Sequence, residues 1–190
     1  MLKVKKVKDS EKGTTLLEIA IVMVCVGIIG AILVPNVMDS IRSLRLNSAA
    51  YKLVTDIRYA RELALSNHAT YVVEVSTANN NYQLFKMVAG VKTAITNPYG
   101  GGSMIVDFDT RPEFSGVTIT TVTRGEFRFD SFGKPLDAFG TALTYPASIV
   151  LHNGNLDKSV SVWEETGYTQ ISNDSCIYTG KSGSVYTTAC

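Results

Sequence analysis

Hydrophobic positions follow three successive rhythms along this chain. The first is a near-continuous run: from Ile19 to Val34 no residue is charged, and with Thr14–Leu17 the apolar segment reaches 21 residues, broken by the single acid Glu18. That length lets an α-helix cross a hydrocarbon core of about 30 Å. The second rhythm begins after Pro35 and has helical period. Leu46, Ala50, Leu53, Ile57, Ala60 and Ala64 recur at alternating steps of four and three, which makes one apolar stripe. Arg45, Lys52, Arg58, Arg61 and Glu62 lie largely off it. The pattern predicts one helix from Thr14 to about His68, roughly 80 Å long. Pro35 removes one helical hydrogen bond and is expected to kink or locally melt the rod.

The third rhythm has period two. Tyr71–Val75 and Tyr82–Val88 flank Asn79-Asn80-Asn81 and read as a hairpin with a polar turn. Further strands are expected at Met104–Phe108, Val117–Val122, Gly125–Asp130, Ser148–His152, Ser159–Glu164 and Tyr168–Ile171, the last pair turning at Thr166-Gly167. The segments Asn97–Gly102 and Phe132–Pro135 read as surface loops. One long helix laid against an antiparallel β body is an α+β arrangement.

Charge at the amino terminus orients the apolar run. Lys3, Lys5, Lys6, Lys8 and Lys12 face only Asp9 and Glu11, the positive-inside signature of a cytoplasmic end. An ordinary secretory signal is cut behind small residues after its apolar core. Here Pro35-Asn36 follows and helical periodicity resumes, so the expected cut precedes the apolar segment, between Gly13 and Thr14. Removing residues 1–13, with five lysines and two acids, takes the net charge from +1 to −2. A mildly acidic mature chain implies no broad basic surface for nucleic acid, and that partner is not expected. The organisation expected is a cleaved leader (1–13), a transmembrane and assembly helix (14–35), the outer half of the helix (36–69), a β-rich domain (70–172) and a tail (173–190).

The run Gly13-Thr14-Thr15-Leu16-Leu17-Glu18 resembles the class III signal of type IV pilins and type II secretion pseudopilins, with Thr14 in place of the usual phenylalanine. Glycine, acid and uninterrupted apolar run stand at that family's spacing. Leu53–Ala69, LVTDIRYARELALSNHA, is similar to the helix end of the GspH/FimT group of minor pseudopilins. Phe127–Gly133, Ser148–Leu151, Val160–Val162 and Thr166–Tyr168 follow that group's order of strand, glycine turn, strand, strand and Thr-Gly turn.

The resemblance implies a pilin-like fold and a structural, non-enzymatic subunit of the filament of a type II secretion system. The alternative is a minor type IV pilin acting in assembly, adhesion or DNA uptake. It also implies a prepilin peptidase as processing partner, possible N-methylation of Thr14, other pilins or pseudopilins as neighbours, and inner-membrane lipid around the helix. The localisation implied is a single-pass bacterial inner-membrane protein with its body in the periplasm or an outer-side filament. Glu18 lies four residues from the new terminal amine, and the expectation is that it pairs with a neighbouring subunit's Thr14 amine. The competing reading is a protonated or snorkelling acid near the headgroups.

Of three cysteines, Cys25 falls in the apolar run, while Cys176 and Cys190 lie in the tail. An oxidising compartment allows the latter two to pair, and the expected disulfide turns the tail, which has no apolar periodicity, into a closed surface loop at the sheet edge after Ile171. The alternatives are two free thiols or a metal pair, and no nearby His or third Cys supports the metal. No Ser-His-Asp, HExxH, P-loop or CxxC arrangement occurs, and no cofactor or metal site is expected. His68 and His152 read as solvated or core residues. Asp107 and Asp109, alternating along an expected strand, read as a solvated face with a weaker case for calcium. Asn173-Asp174-Ser175 matches a glycosylation sequon by chance, and Trp163 reads as core or partner surface.

Overall fold

A computed structural model of the chain describes residues 15–98 and 100–190, with only the backbone described for residues 32–36. It divides into two units, up to Ser40 and from Ile41 to Cys190. Helix α1 (Leu16–Asn67) runs as one element of 52 residues through Pro35. It ends where the sequence placed the change of period. His68 takes a left-handed φ of 47°, and the Ala69 N–H donates to the Ala64 carbonyl at 3.3 Å. That closure is a Schellman motif with histidine in the glycine position, and it turns the chain into the first strand. His68 is exposed there.

Among the described residues twelve strands follow, all pairing antiparallel. The first sheet contains β1 (Tyr71–Ser76), β2 (Asn81–Val88), β3 (Val91–Ala94), β4 (Ile105–Asp107), β6 (Glu126–Phe129) and β7 (Pro135–Asp137). Its order is β3-β2-β1-β6-β7, with β4 on the same edge of β2 as β3. The second sheet contains β5 (Thr118–Val122), β8 (Ala147–Asn153), β9 (Leu156–Val162) and β10 (Thr169–Ser172) in the order β10-β9-β8-β5. A separate hairpin is made by β11 (Ile177–Ser182) and β12 (Val185–Ala189). The single β body expected from the sequence is therefore two sheets and a hairpin.

The apolar stripe of α1 closes the core between the sheets. Leu46, Ala50, Leu53, Ile57, Ala60 and Ala64 are all fully buried, with Tyr71, Val73, Phe127 and Phe129 of the first sheet and Ile149, Leu151, Val160 and Val162 of the second in the same cluster. The alanines keep the helix backbone close to both sheets, and the larger side chains fill the wedge between them. Polar ties fix the register. The buried Asp56 carboxylate accepts from Lys52 Nζ at 2.6 Å and from the Tyr82 hydroxyl on β2 at 2.6 Å. Burial, then the Asp56 carboxylate, push the Tyr82 phenol well above its ordinary value. Arg58 donates to the Thr169 carbonyl and Arg61 to the Gly133 carbonyl, tying the helix to each sheet in turn. On the outer face of the first sheet Glu74 and Glu126 stand directly opposite, a repulsive cross-strand pair. Lys92 bridges both at 2.6 and 2.5 Å.

Several boundaries differ from the sequence reading. β3 was not expected; it follows a two-residue turn, Ala89-Gly90, in which both residues have positive φ. Such primed turns match strand twist, but Ala-Gly lacks the Asn-Gly signal. β9 starts at Leu156 rather than Ser159, because Gly154-Asn155 makes an equally tight turn after Asn153. Asp109 is not on a strand: β4 stops at Asp107, whose Oδ1 accepts the Asp109 N–H at 2.8 Å, and Asp109 Oδ1 accepts from Asn80 Nδ2 at 2.6 Å. The two carboxylates shape a turn instead of sharing a strand face. Among the described residues no group of three or more His, Cys, Asp or Glu side chains is arranged to hold a metal ion.

Candidate assembly surface and tail clasp

Two features stand out among the described residues. The first is the opening half of α1. Thr15 caps the helix: its Oγ1 accepts the Glu18 N–H at 3.3 Å and its carbonyl accepts the Glu18 and Ile19 N–H groups at 3.0 and 3.2 Å. Glu18 therefore sits in the first helical turn, where the exposed N–H groups favour negative charge. The Thr15-x-x-Glu18 spacing is that of a capping box, a signal legible in the sequence but not read there. Beyond it the helix is apolar on every side. Ile21, Val22, Met23 and Val24 point to four directions about 100° apart, yet all are exposed. Leu16 is 88% exposed and Leu44 still 65%, whereas Leu46 falls to 1%. A helix that is hydrophobic all round belongs in lipid or among other helices.

Among the described residues no helix is long and apolar enough to cross a membrane. The expected span, 14–35, includes Thr14 and residues 32–36, whose side chains lie outside the description. Gly13 and Thr14, the expected processing residues, also lie outside the described residues, as does the Pro35 side chain. Cys25 is an exposed free thiol on this helix.

The second feature is the tail. Cys176 and Cys190 are joined by a disulfide. The tail was expected to be a closed loop on the sheet edge. It is a β-hairpin lying over the face of the second sheet, since β11 contacts β8, an interior strand of that sheet. Ser148, Ser159 and Ser161 beneath it are buried, although they point away from the core cluster. The Ser148 and Ser161 hydroxyls pair at 3.0 Å, and Ser159 donates to Asp174 at 2.8 Å. Lys158 Nζ donates to Asn173 Oδ1, which occupies the sequon asparagine. His152 Nδ1 lies 2.7 Å from Asp157 Oδ1, far along the sequence from His68.

An aromatic and ionic clasp holds the hairpin. Trp163, Tyr178 and Tyr186 form a triangle with ring centroids 5.3–5.5 Å apart. Buried Glu164 Oε1 accepts from Lys181 Nζ and from the Tyr186 hydroxyl, each at 2.7 Å. Burial pushes the Glu164 carboxyl up, but the hydrogen bonds from Lys181 and Tyr186 outweigh it and hold the group below its ordinary value. The Glu164 hydrogen bond holds Lys181 well above its own. The carboxylate's contribution is present above 4.5 and is lost as pH falls through its lowered folded value; the ammonium's is present below 10.5 and lost as pH rises through its raised one. Trp163 emission is therefore expected to stay constant between these limits and to change on acidification below 4.5, as the clasp releases. A fluorescence titration checks it, and a transition centred near neutrality would contradict the assignment. The sequence reading did not find this clasp, because Glu164, Lys181 and Tyr186 meet only once the hairpin folds back.

Two short turns also expose aromatics. Asp130-Ser131-Phe132-Gly133 and Asp137-Ala138-Phe139-Gly140 fold alike. Each Asp Oδ1 accepts the N–H groups two and four residues on, and each glycine has positive φ. Phe132 and Phe139 are left 83% and 90% exposed at the tips.

No family model matches the sequence, and no curated protein matches it. Solved structures do. The minor pseudopilin EpsH from the type 2 secretion system of Vibrio cholerae superposes with a TM-score of 0.52 at 11% identity, covering 68% of this chain and 97% of that one. The type IV minor pilin FimU of Pseudomonas aeruginosa gives 0.48 at 15% identity, covering 67% and 87%. The superposition on EpsH shows a pilin-like fold, with an N-terminal helix packed on antiparallel sheets.

Proposed function

We propose that this chain is a structural, non-enzymatic minor pseudopilin: one subunit of a type IV-pilus-like filament in a type II secretion system. The observation that carries this reading is the opening half of α1. From Leu16 to Ile29 it is apolar on all sides and exposed, capped by Thr15 and provided with one acid in its first turn. Residues 14–35 anchor the precursor in the bacterial inner membrane, and the lysine-rich leader holds residues 1–13 on the cytoplasmic side. The body, with its disulfide, stands in the oxidising compartment beyond. A prepilin peptidase removes residues 1–13, with Thr14 as the possible site of N-methylation. In the filament the apolar helices exchange lipid for one another, Glu18 meets the Thr14 amine of a neighbour, and Pro35 supplies a bend where the helix leaves its lipid half.

The alternative, a minor type IV pilin in pilus assembly, adhesion or DNA uptake, draws on the disulfide-closed tail. DNA uptake fits least well. Lys181, the one lysine of the tail, is committed to Glu164, which leaves few phosphate contacts. Mass spectrometry of the mature protein tests the processing step on which both versions depend. The expected first residue is Thr14, and Gly13→Arg is expected to leave full-length precursor that is not assembled. A different first residue in the wild type would overturn the reading.

A further inference from the structure

The aromatic clasp borders a pocket of about 580 Å³ whose walls are Trp163, Tyr168, Tyr186 and Gln170, with Glu164 and Glu165 as its charged groups. Three observations bear on what fills it. Glu164 is only 4% exposed, and while its Oε1 receives Lys181 and Tyr186, its Oε2 is buried with no hydrogen-bond partner among the described residues. A buried carboxylate oxygen left unpaired is costly, and its residue is one of the groups lining the pocket. Two acids against Lys181 leave one negative charge in excess, so one added cation balances the site. The walls are largely aromatic, and Tyr168 among them is exposed. Trp163 is held in place by its Nε1–H donating to Gln170 Oε1 at 3.3 Å and by the two tyrosine rings.

We infer that this pocket is a docking site for an arginine side chain presented by a neighbouring protein chain. A guanidinium is planar, stacks on aromatic faces and donates in a fork to carboxylates, so it matches both the aromatic walls and the excess of acid, with the exposed Glu165 as the accessible acceptor. Trp and Tyr walls around a buried acid are also the composition of interface anchor points, which favours a protein partner. The site is independent of the apolar helix, so it can be tested whether or not the chain assembles into a filament.

Trp163 is the chain's one tryptophan, so its emission and its indole N–H resonance report on this pocket alone. The full chain in detergent micelles is titrated with acetyl-Gly-Arg-Gly-amide and with the citrulline peptide, which has the same shape and no charge. The expected result is a saturable shift with the arginine peptide, at least tenfold weaker with citrulline. Tyr168→Ala and Glu165→Gln, both exposed, are expected to weaken binding several-fold without changing the far-ultraviolet spectrum. Glu164→Gln is expected to abolish it, and Trp163 emission in the peptide-free variant reports whether the clasp has survived. No saturable shift at tens of millimolar, equal response to both peptides, or undiminished binding by the two exposed variants would overturn the assignment.

Discussion

Replacing Glu18 with glutamine is expected to reduce incorporation into the filament at least tenfold while leaving the body folded. The side chain sits in the first turn of α1, and the cap that holds that turn is made by Thr15 through the Glu18 backbone N–H. Glutamine keeps the backbone, the size and much of the hydrogen-bonding shape, and removes only the charge. In lipid an acid near the apolar segment's centre costs roughly 2.5–3.5 kcal/mol, and somewhat less near its end. Under the proposed assembly, pairing with a neighbour's terminal amine would relieve that penalty, and about 1.4 kcal/mol corresponds to each factor of ten. Thr15→Ala separates cap from charge. It removes the capping hydroxyl, costs about 1 kcal/mol of helix-end stability, and is expected to reduce incorporation far less than Glu18→Gln. Quantitative immunoblotting of sheared filaments against total membrane protein checks both variants. Wild-type incorporation of Glu18→Gln would sink the pairing mechanism.

Replacing Cys190 with serine is expected to release the tail hairpin without unfolding the body. The Cys176–Cys190 bond closes a loop with a sequence separation of 14, worth about 3 kcal/mol in the chain-entropy account. An isolated two-stranded hairpin is marginal in water, so the aromatic triangle and the Glu164 clasp would have to hold it unaided. The residues it covers, Ser148, Ser159 and Ser161, tolerate water, whereas Ile149, Leu151, Val160 and Val162 on the opposite face remain sealed against α1. Proteolysis after Ser172 is expected to accelerate, and Trp163 emission to move to longer wavelength, while the main thermal transition shifts little. Loss of the cooperative transition in this variant would show that the hairpin belongs to the core.

The pH response of the clasp and the Cys190 variant read the same indole through different groups. Acidification protonates Glu164 with the disulfide intact, and Cys190→Ser opens the loop with Glu164 ionised. If both report hairpin release, acidification of the Cys190 variant should produce little further change.

Local pattern determined what local physics controls. The stripe Leu46–Ala64 was legible because a helix turns a one-dimensional spacing into a face, and every member of it is buried. The end of α1 at Asn67 and the β1–β2 hairpin were legible for the same reason, as a change of period and a polar turn between two alternating runs. The Gly13–Glu18 signal is likewise read from the sequence alone, and Gly13 and Thr14 lie outside the described residues.

What the sequence could not decide depended on which surfaces cover one another. β8 reads as a single apolar strand, but its two faces have different fates: Ile149 and Leu151 join the core, while Ser148 is buried by a tail remote in sequence. The division into two sheets follows from α1 wedging between their inner faces, and no strand's own pattern records it. Asp109 left its expected strand because Asn80, on another turn, takes its carboxylate. Residues 173–190 have no apolar periodicity and looked like a loop. Their order comes from Trp163, Glu164 and the disulfide, partners that only the folded chain brings within reach.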